Sequence, residues 1–285
     1  MDNNTLYNKT MGDFRTSHGL PIATIPYDKQ QPHERLGRGA IAMHYGFFNE
    51  EYHEYMLALA KRGMDVHDDP LDAPDPLELT VECADAFVDM NYFAGGAMLH
   101  AGMPIDIDEI LGTREIIENA QGALTVLHEA KEEFLGEGVR EMYHDVFRLI
   151  FAVSIKKALW VVSRYNGKVD EYLGAIDFGD GEVLWPTDRG VEVFMGMYMI
   201  VHNSNMSKIS NSRLEAENQC DKYNERFKQE WLTGETGLLD AKVAKVEPVE
   251  VDGVTKYAIY CNSKLLKGSG FFAPEEALAT YIRNL

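Results

Sequence analysis

Apolar residues recur at spacings of three and four from about Leu36 to Arg62, where Ile41, Tyr45, Phe48, Tyr52, Tyr55 and Leu59 share one helical stripe. Gly37, Gly39 and Gly46 dilute the start of that pattern. A second helix is predicted from about Pro76 to Ala101. Asp75-Pro76 supplies a cap-like residue followed by a proline where the first turn tolerates one, and Gly102 and Pro104 stop the element. Ala84, Ala86, Phe87, Val88, Met90 and Phe93 make this second helix apolar nearly all round. Ahead of both, residues 1–35 read as irregular or short-helical, broken by Gly19-Leu20-Pro21, Pro26 and Pro32. The stretch from Gly63 to Pro76, rich in Asp and Pro, reads as a loop.

Further along, Glu115 to Leu135 carries Ile116, Ala120, Leu124 and Leu127 on one helical face. Val139 to Tyr165 is a longer apolar helix with Phe147, Ile150, Phe151, Leu159 and Trp160. Asn166-Gly167 and the glycines at 174, 179, 181 and 190 mark turns. Another helix is predicted over Val191 to Ser210, and a charged one over 213–232. A small strand pair is predicted over 242–261, around Asp252-Gly253. The predicted fold class is mainly α, without internal repeats.

Composition narrows the class of function. A formal net charge of −19 argues against broad binding to nucleic acid or to acidic membrane. It leaves small anionic substrates open, provided metal ions supply the local positive field. The three cysteines, Cys83, Cys220 and Cys261, are far apart, and the polar start of the chain lacks a secretory signal's apolar core. No apolar run approaches the roughly 20 residues of a membrane span. The expectation is a cytoplasmic protein whose 285 residues form a single domain.

Candidate chemistry lies on the first two helices. At about 100° per residue, Glu78, Glu82, Asp85 and Asp89 fall within roughly 60° of one another. Glu50 and Glu54 are one turn apart, with Glu51 beside them. Acidic stripes are usually solvated helix faces. The second stripe differs because its helix is apolar on its other sides, and carboxylates on a buried helix need partners. Two helices facing each other through these stripes would gather carboxylates that cannot all stay ionised without cations. All-oxygen ligands favour magnesium or manganese over zinc. His53, His100 and His202 lack a paired HxxxH or Cys partner and read as packing or surface residues.

Three segments carry a resemblance. Phe47 to Ala58, FFNEEYHEYMLA, resembles the EExxE helix of the all-α nucleoside triphosphate pyrophosphohydrolases, the superfamily of MazG and of the phosphoribosyl-ATP pyrophosphohydrolase HisE. Leu79 to Tyr92, LTVECADAFVDMNY, is similar to that superfamily's ExxD helix. Val201 to Ile209, VHNSNMSKI, is similar to a substrate-side motif of a HisE-like, "Cof-like" branch. DFRTSHGLPI at 13–22 and KLLKGSGFFAP at 264–274 resemble that branch's lead and tail. The resemblance covers most of 10–105 and 190–275, and leaves about 107–190 as a helical insertion.

The resemblance implies a four-helix-bundle core with a small C-terminal segment, assembled as a homodimer or homotetramer whose site is completed across the interface. It implies that Glu51, Glu54, Glu82 and Asp85 ligate magnesium, with Asp89 completing the site or orienting a ligand. Glu50 and Glu51 are the candidate catalytic residues, Glu50 as a further ligand or as the base orienting water. Asn205 and Lys208 would contact the nucleotide, their spacing of three placing both on one helix face. The implied reaction is attack of water at the α-phosphorus of an NTP or dNTP, a purine such as dGTP among them, giving a monophosphate and pyrophosphate. Two rival readings stand beside it: a non-catalytic nucleotide-sensing or partner-binding bundle, and hydrolysis of phosphoribosyl-ATP. Gly268-Ser269-Gly270 reads as a plain turn, Phe271 and Phe272 as anchors of the tail, and the three tryptophans as core or interface residues.

Overall fold

The computed structural model describes residues 2–119, 139–177, 182–232, 242–251, 253–261 and 264–285. The described chain is mainly helical with a small strand portion. It divides into two compact units. The first comprises Met1–Gly12, Ile22–Val201 and Pro274–Leu285; the second comprises Asp13–Pro21 and His202–Ala273.

The first unit is built on α3, Pro76–Ala101. Asp75 caps it by accepting from the Glu78 backbone N–H at 3.0 Å, and Gly102 ends it at φ 79°, a left-handed conformation that disfavours side chains. Seventeen of its residues are buried, as expected for a helix apolar nearly all round. On it pack α2, Arg38–Ala60, and the long helix Val139–Asn166, which we label α6. Between them in sequence lie the short helices α4, Ile107–Gly112, and α5, Arg114–Asn119. The remainder of the helix predicted over 115–135, with Ala120, Leu124 and Leu127, lies outside the described residues. Helix α6 is the most extensive neighbour of α3, burying Tyr143, Phe147, Ile150, Phe151 and Leu159. It therefore forms part of this unit's core.

Two local readings change. Residues 3–17 form a 15-residue helix, α1, where the sequence suggests an irregular or short-helical lead-in, so the helical alternative holds and the helix is longer than expected. The breaks at Gly19, Pro21 and Pro26 all fall beyond its end, and burial of Tyr7 and Met11 holds its first part. Tyr7 packs so closely on α3 that a Cβ at Gly95 would stand 2.6 Å from its hydroxyl, so the glycine permits the contact. That hydroxyl donates to Asn91 Oδ1 at 2.7 Å, and Asn91 Nδ2 donates to the Phe151 carbonyl at 2.9 Å and to Ser154 Oγ at 3.1 Å. One buried amide thus joins α1, α3 and α6. The second change follows the short helix α7, Val169–Tyr172, where glycines suggest turns. Strands β1, Leu173–Asp177, and β2, Glu182–Pro186, pair antiparallel there, with Ala175 opposite Leu184. Helix α8, Asp188–Met206, follows, and α10, Glu275–Arg283, closes the chain against α3.

In the second unit, α9, Arg213–Leu232, lies on an antiparallel sheet ordered β3-β4-β5. Its strands are Lys245–Val251, Val254–Cys261 and Lys264–Leu266. The predicted strand pair is present, with Val251 opposite Val254 across the two-residue connection; β5 is an addition. Asp252 of that connection lies outside the described residues. Ala216, Cys220, Phe227, Ile259 and Cys261 form the helix–sheet core. His18 is buried here, 4% exposed, donating through Nδ1 to the Phe14 carbonyl at 2.6 Å.

Burial, followed by the charges of Lys208 and His202, pulls the His18 pKa from 6.5 to about 4. A histidine depressed in the folded state contributes stability that is complete above pH 6.5 and is lost as pH falls through about 4. We expect acidification across that window to cost about 3 kcal/mol through this group. Denaturant melts of His18→Gln against wild type from neutral pH to about pH 4 check it; equal acid sensitivity in both would rule it out.

Candidate functional site

The predicted carboxylates fall on the paired helices α2 and α3. Helical spacing puts Glu50, Glu51 and Glu54 on α2 and Glu78, Glu82, Asp85 and Asp89 on α3. Glu51 is the buried member at 7% exposure, whereas Glu54 and Glu78 are exposed and Glu50, Glu82, Asp85 and Asp89 are half-buried. Burial raises the Glu51 pKa most, and the charges of Asp89, Glu54, Glu50 and Asp85 raise it further, up to about 10. Four of the predicted acids therefore bear on Glu51 electrostatically. A carboxyl so placed is protonated at neutral pH unless a cation compensates it.

Glu82 has different company. Arg62, two residues beyond α2, donates through Nη1 to Glu82 Oε2 at 3.1 Å and through Nη2 to Glu82 Oε1 at 3.3 Å. The same Nη2 reaches Glu78 Oε2 at 2.9 Å, and Nη1 also donates to the Ala58 carbonyl at 2.8 Å. The guanidinium bridges one turn of α3, and its side chain is 10% exposed. Sequence reading passed over Arg62; a cation closing one helix opposite an acidic stripe on the next is the signal that points to it. Arg62→Met takes the guanidinium from both Glu78 and Glu82 and leaves Glu82 with the exposed Lys61 ammonium at 3.9 Å. It should lower stability by about 1–2 kcal/mol, read as a denaturation midpoint, and an unchanged midpoint would show the bridge to be energetically idle.

Among the described residues, no three His, Cys, Asp or Glu side chains stand where they could share one metal ion. Donor chemistry nonetheless suits a hard cation, since the groups around Glu51 are all carboxylate oxygens.

Asn205 and Lys208 lie in the second unit. Asn205 is buried near the end of α8, and Lys208 sits just past that helix, in the following turn. The prediction of one shared helix face is corrected to a helix end: Lys208 Nζ curls back to donate to Asn205 Oδ1 at 2.5 Å. A Cβ at Gly268 would stand 2.5 Å from the Lys208 carbonyl, so that glycine admits the close approach of the two backbones. Gly268-Ser269-Gly270 is a turn, closed by the Phe271 N–H on the Gly268 carbonyl at 3.2 Å. Lys267 and Lys208 approach the Phe271 ring at 4.5 and 6.0 Å. Trp185 is a core residue donating to the Leu111 carbonyl at 2.8 Å, while the Trp231 side chain lies outside the described residues.

No family model, curated protein or solved structure matches the chain. Among the described residues no helix is long and apolar enough to cross a membrane.

Proposed function

We propose that the chain is a magnesium-dependent nucleoside triphosphate pyrophosphohydrolase, converting an NTP or dNTP to the monophosphate and pyrophosphate. The observation that carries this reading is Glu51, a buried carboxyl with Glu50, Glu54, Asp85 and Asp89 bearing on it from two packed helices. Holding several acids against a buried one costs stability, and groups perturbed in this way cluster at functional sites. The order of the EExxE-like and ExxD-like segments supports the reading, as does the mainly helical fold; a four-helix core and a homodimer or homotetramer belong to the same proposal.

Glu51, Glu54, Asp85 and Asp89 would hold magnesium or manganese, and Glu82 would join them on exchanging Arg62 for the cation. Bound there, the metal supplies charge to the phosphate oxygens and lowers the pKa of water. Glu50, half-buried at the rim, orients water by accepting its hydrogen bond. Asn205 and Lys208, in the second unit, carry an amide and an ammonium, groups chemically suited to a nucleotide.

A second reading rests on Arg62. A guanidinium neutralising Glu82 is what a nucleotide-sensing or partner-binding bundle that has given up catalysis would keep. The eight common NTPs and dNTPs, incubated with magnesium and resolved by chromatography, separate the two. Monophosphate and pyrophosphate in equal amounts are expected from one or a few of them. Thermal stabilisation by nucleotide without product would replace hydrolysis by sensing.

A further inference from the structure

One face of α6 carries Val153, Lys156, Lys157 and Trp160, at spacings of three and four. The hairpin β1–β2 lies against this face and encloses with it a cavity of about 320 Å³. Leu184 and Glu182 contribute from β2. The volume is at the small end of ligand pockets. Its walls combine an apolar floor, one indole, two ammonium groups and, at one end, the Glu182 carboxylate.

The lysines are what packing alone leaves unexplained. Long side chains normally carry their charge out to water. Here burial lowers the proton affinity of both Lys156 and Lys157, and for Lys156 the charge of Lys157 lowers it further. Glu182 lines the same cavity, but among the described residues no carboxylate forms an ion pair with either lysine, in a chain whose formal net charge is −19. Lys156 Nζ lies 5.5 Å from the centre of the Trp185 ring, a cation–π approach that stabilises one charge without pairing the two. A bound anion would relieve their mutual repulsion, and the half-buried Trp160, with the Arg164 guanidinium 5.6 Å from its ring centre, lines the cavity beside it.

We propose that this cavity binds a small aromatic anion, a ring with one phosphate or carboxylate, its ring against Trp160 and its anionic group between Lys156 and Lys157. The site stands apart from the carboxylates of α2 and α3 and does not depend on the hydrolase reading. Glu182 sits exposed on the cavity wall and disfavours ligands carrying a second anionic group at that end.

Pyridoxal 5′-phosphate is a suitable probe: a ring with one phosphate, whose aldehyde condenses with an uncharged amine, releasing water, to an imine that borohydride reduces to a stable secondary amine. Peptide mapping after brief exposure of the full chain should find adducts at Lys156 or Lys157 at least tenfold above Lys61, whose side chain is 66% exposed. Adenosine 5′-monophosphate in excess should suppress them, and phosphate-free pyridoxal should label the pair at least tenfold less. Labelling that simply follows exposure, with Lys61 equal to or above the pair, would overturn the proposal. Equal labelling by pyridoxal would also overturn it, by showing reactive amines without an anion site.

Discussion

Glu51→Gln should reduce pyrophosphohydrolase turnover by about a thousandfold or more, roughly 4 kcal/mol of barrier, while leaving the fold intact. The amide keeps the shape of the carboxyl and removes the charge that, on the proposed reading, Glu51 would bring with Glu50, Glu54, Asp85 and Asp89 to a cation. Stability should move the other way. The Glu51 pKa is raised in the fold, so its contribution is complete below the ordinary value of 4.5 and is lost as pH rises through about 10. Metal-free wild type should therefore lose about 3–4 kcal/mol from this group between roughly pH 5 and pH 8. Glu51→Gln should not. Magnesium should restore wild type at the upper pH and leave the variant unmoved. Unchanged turnover in the variant would remove the proposed site, and parallel pH slopes would show that some other group carries the titration.

Asn91→Ala should cost about 3–5 kcal/mol of global stability. Asn91 is fully buried and makes three side-chain hydrogen bonds, to Tyr7, Phe151 and Ser154, across α1, α3 and α6. Truncation leaves the Tyr7 hydroxyl only the Asn91 backbone carbonyl, at 3.1 Å, takes the amide partner from the Phe151 carbonyl and Ser154, and opens a void between three helices. Asn91→Asp should be as damaging, because it replaces the donor with a buried charge. Denaturant unfolding checks both; a loss below about 1 kcal/mol in Asn91→Ala would mean that the helices hold together without this amide.

The two helices of the candidate site were legible because their signals are local. Asp75, Pro76 and Gly102 fix the ends of α3 through backbone geometry within a few residues, and the predicted limits coincide with the observed ones. The spacing of the acids on α2 and α3 follows from the same geometry. Helix α1 was under-read because Tyr7 and Met11 hold its first part through contacts distant in sequence. The segment of β1 and β2 read as turns because Gly174 in β1 and the glycines at 179 and 181 are local signals, whereas strand pairing depends on register between two segments.

What the sequence determined by itself is therefore which acids share a helix face, where the principal helices start and stop, and that an anionic chain of this kind is mainly helical. The tertiary structure alone decided which acid is buried, that Arg62 takes Glu82, that Lys208 turns back onto Asn205, and that Lys156 and Lys157 enclose a cavity with a hairpin. The physical reason is one of range. Helical periodicity and capping are set by neighbours along the chain, while burial, ion pairing and the cost of a charge depend on which surface arrives from elsewhere.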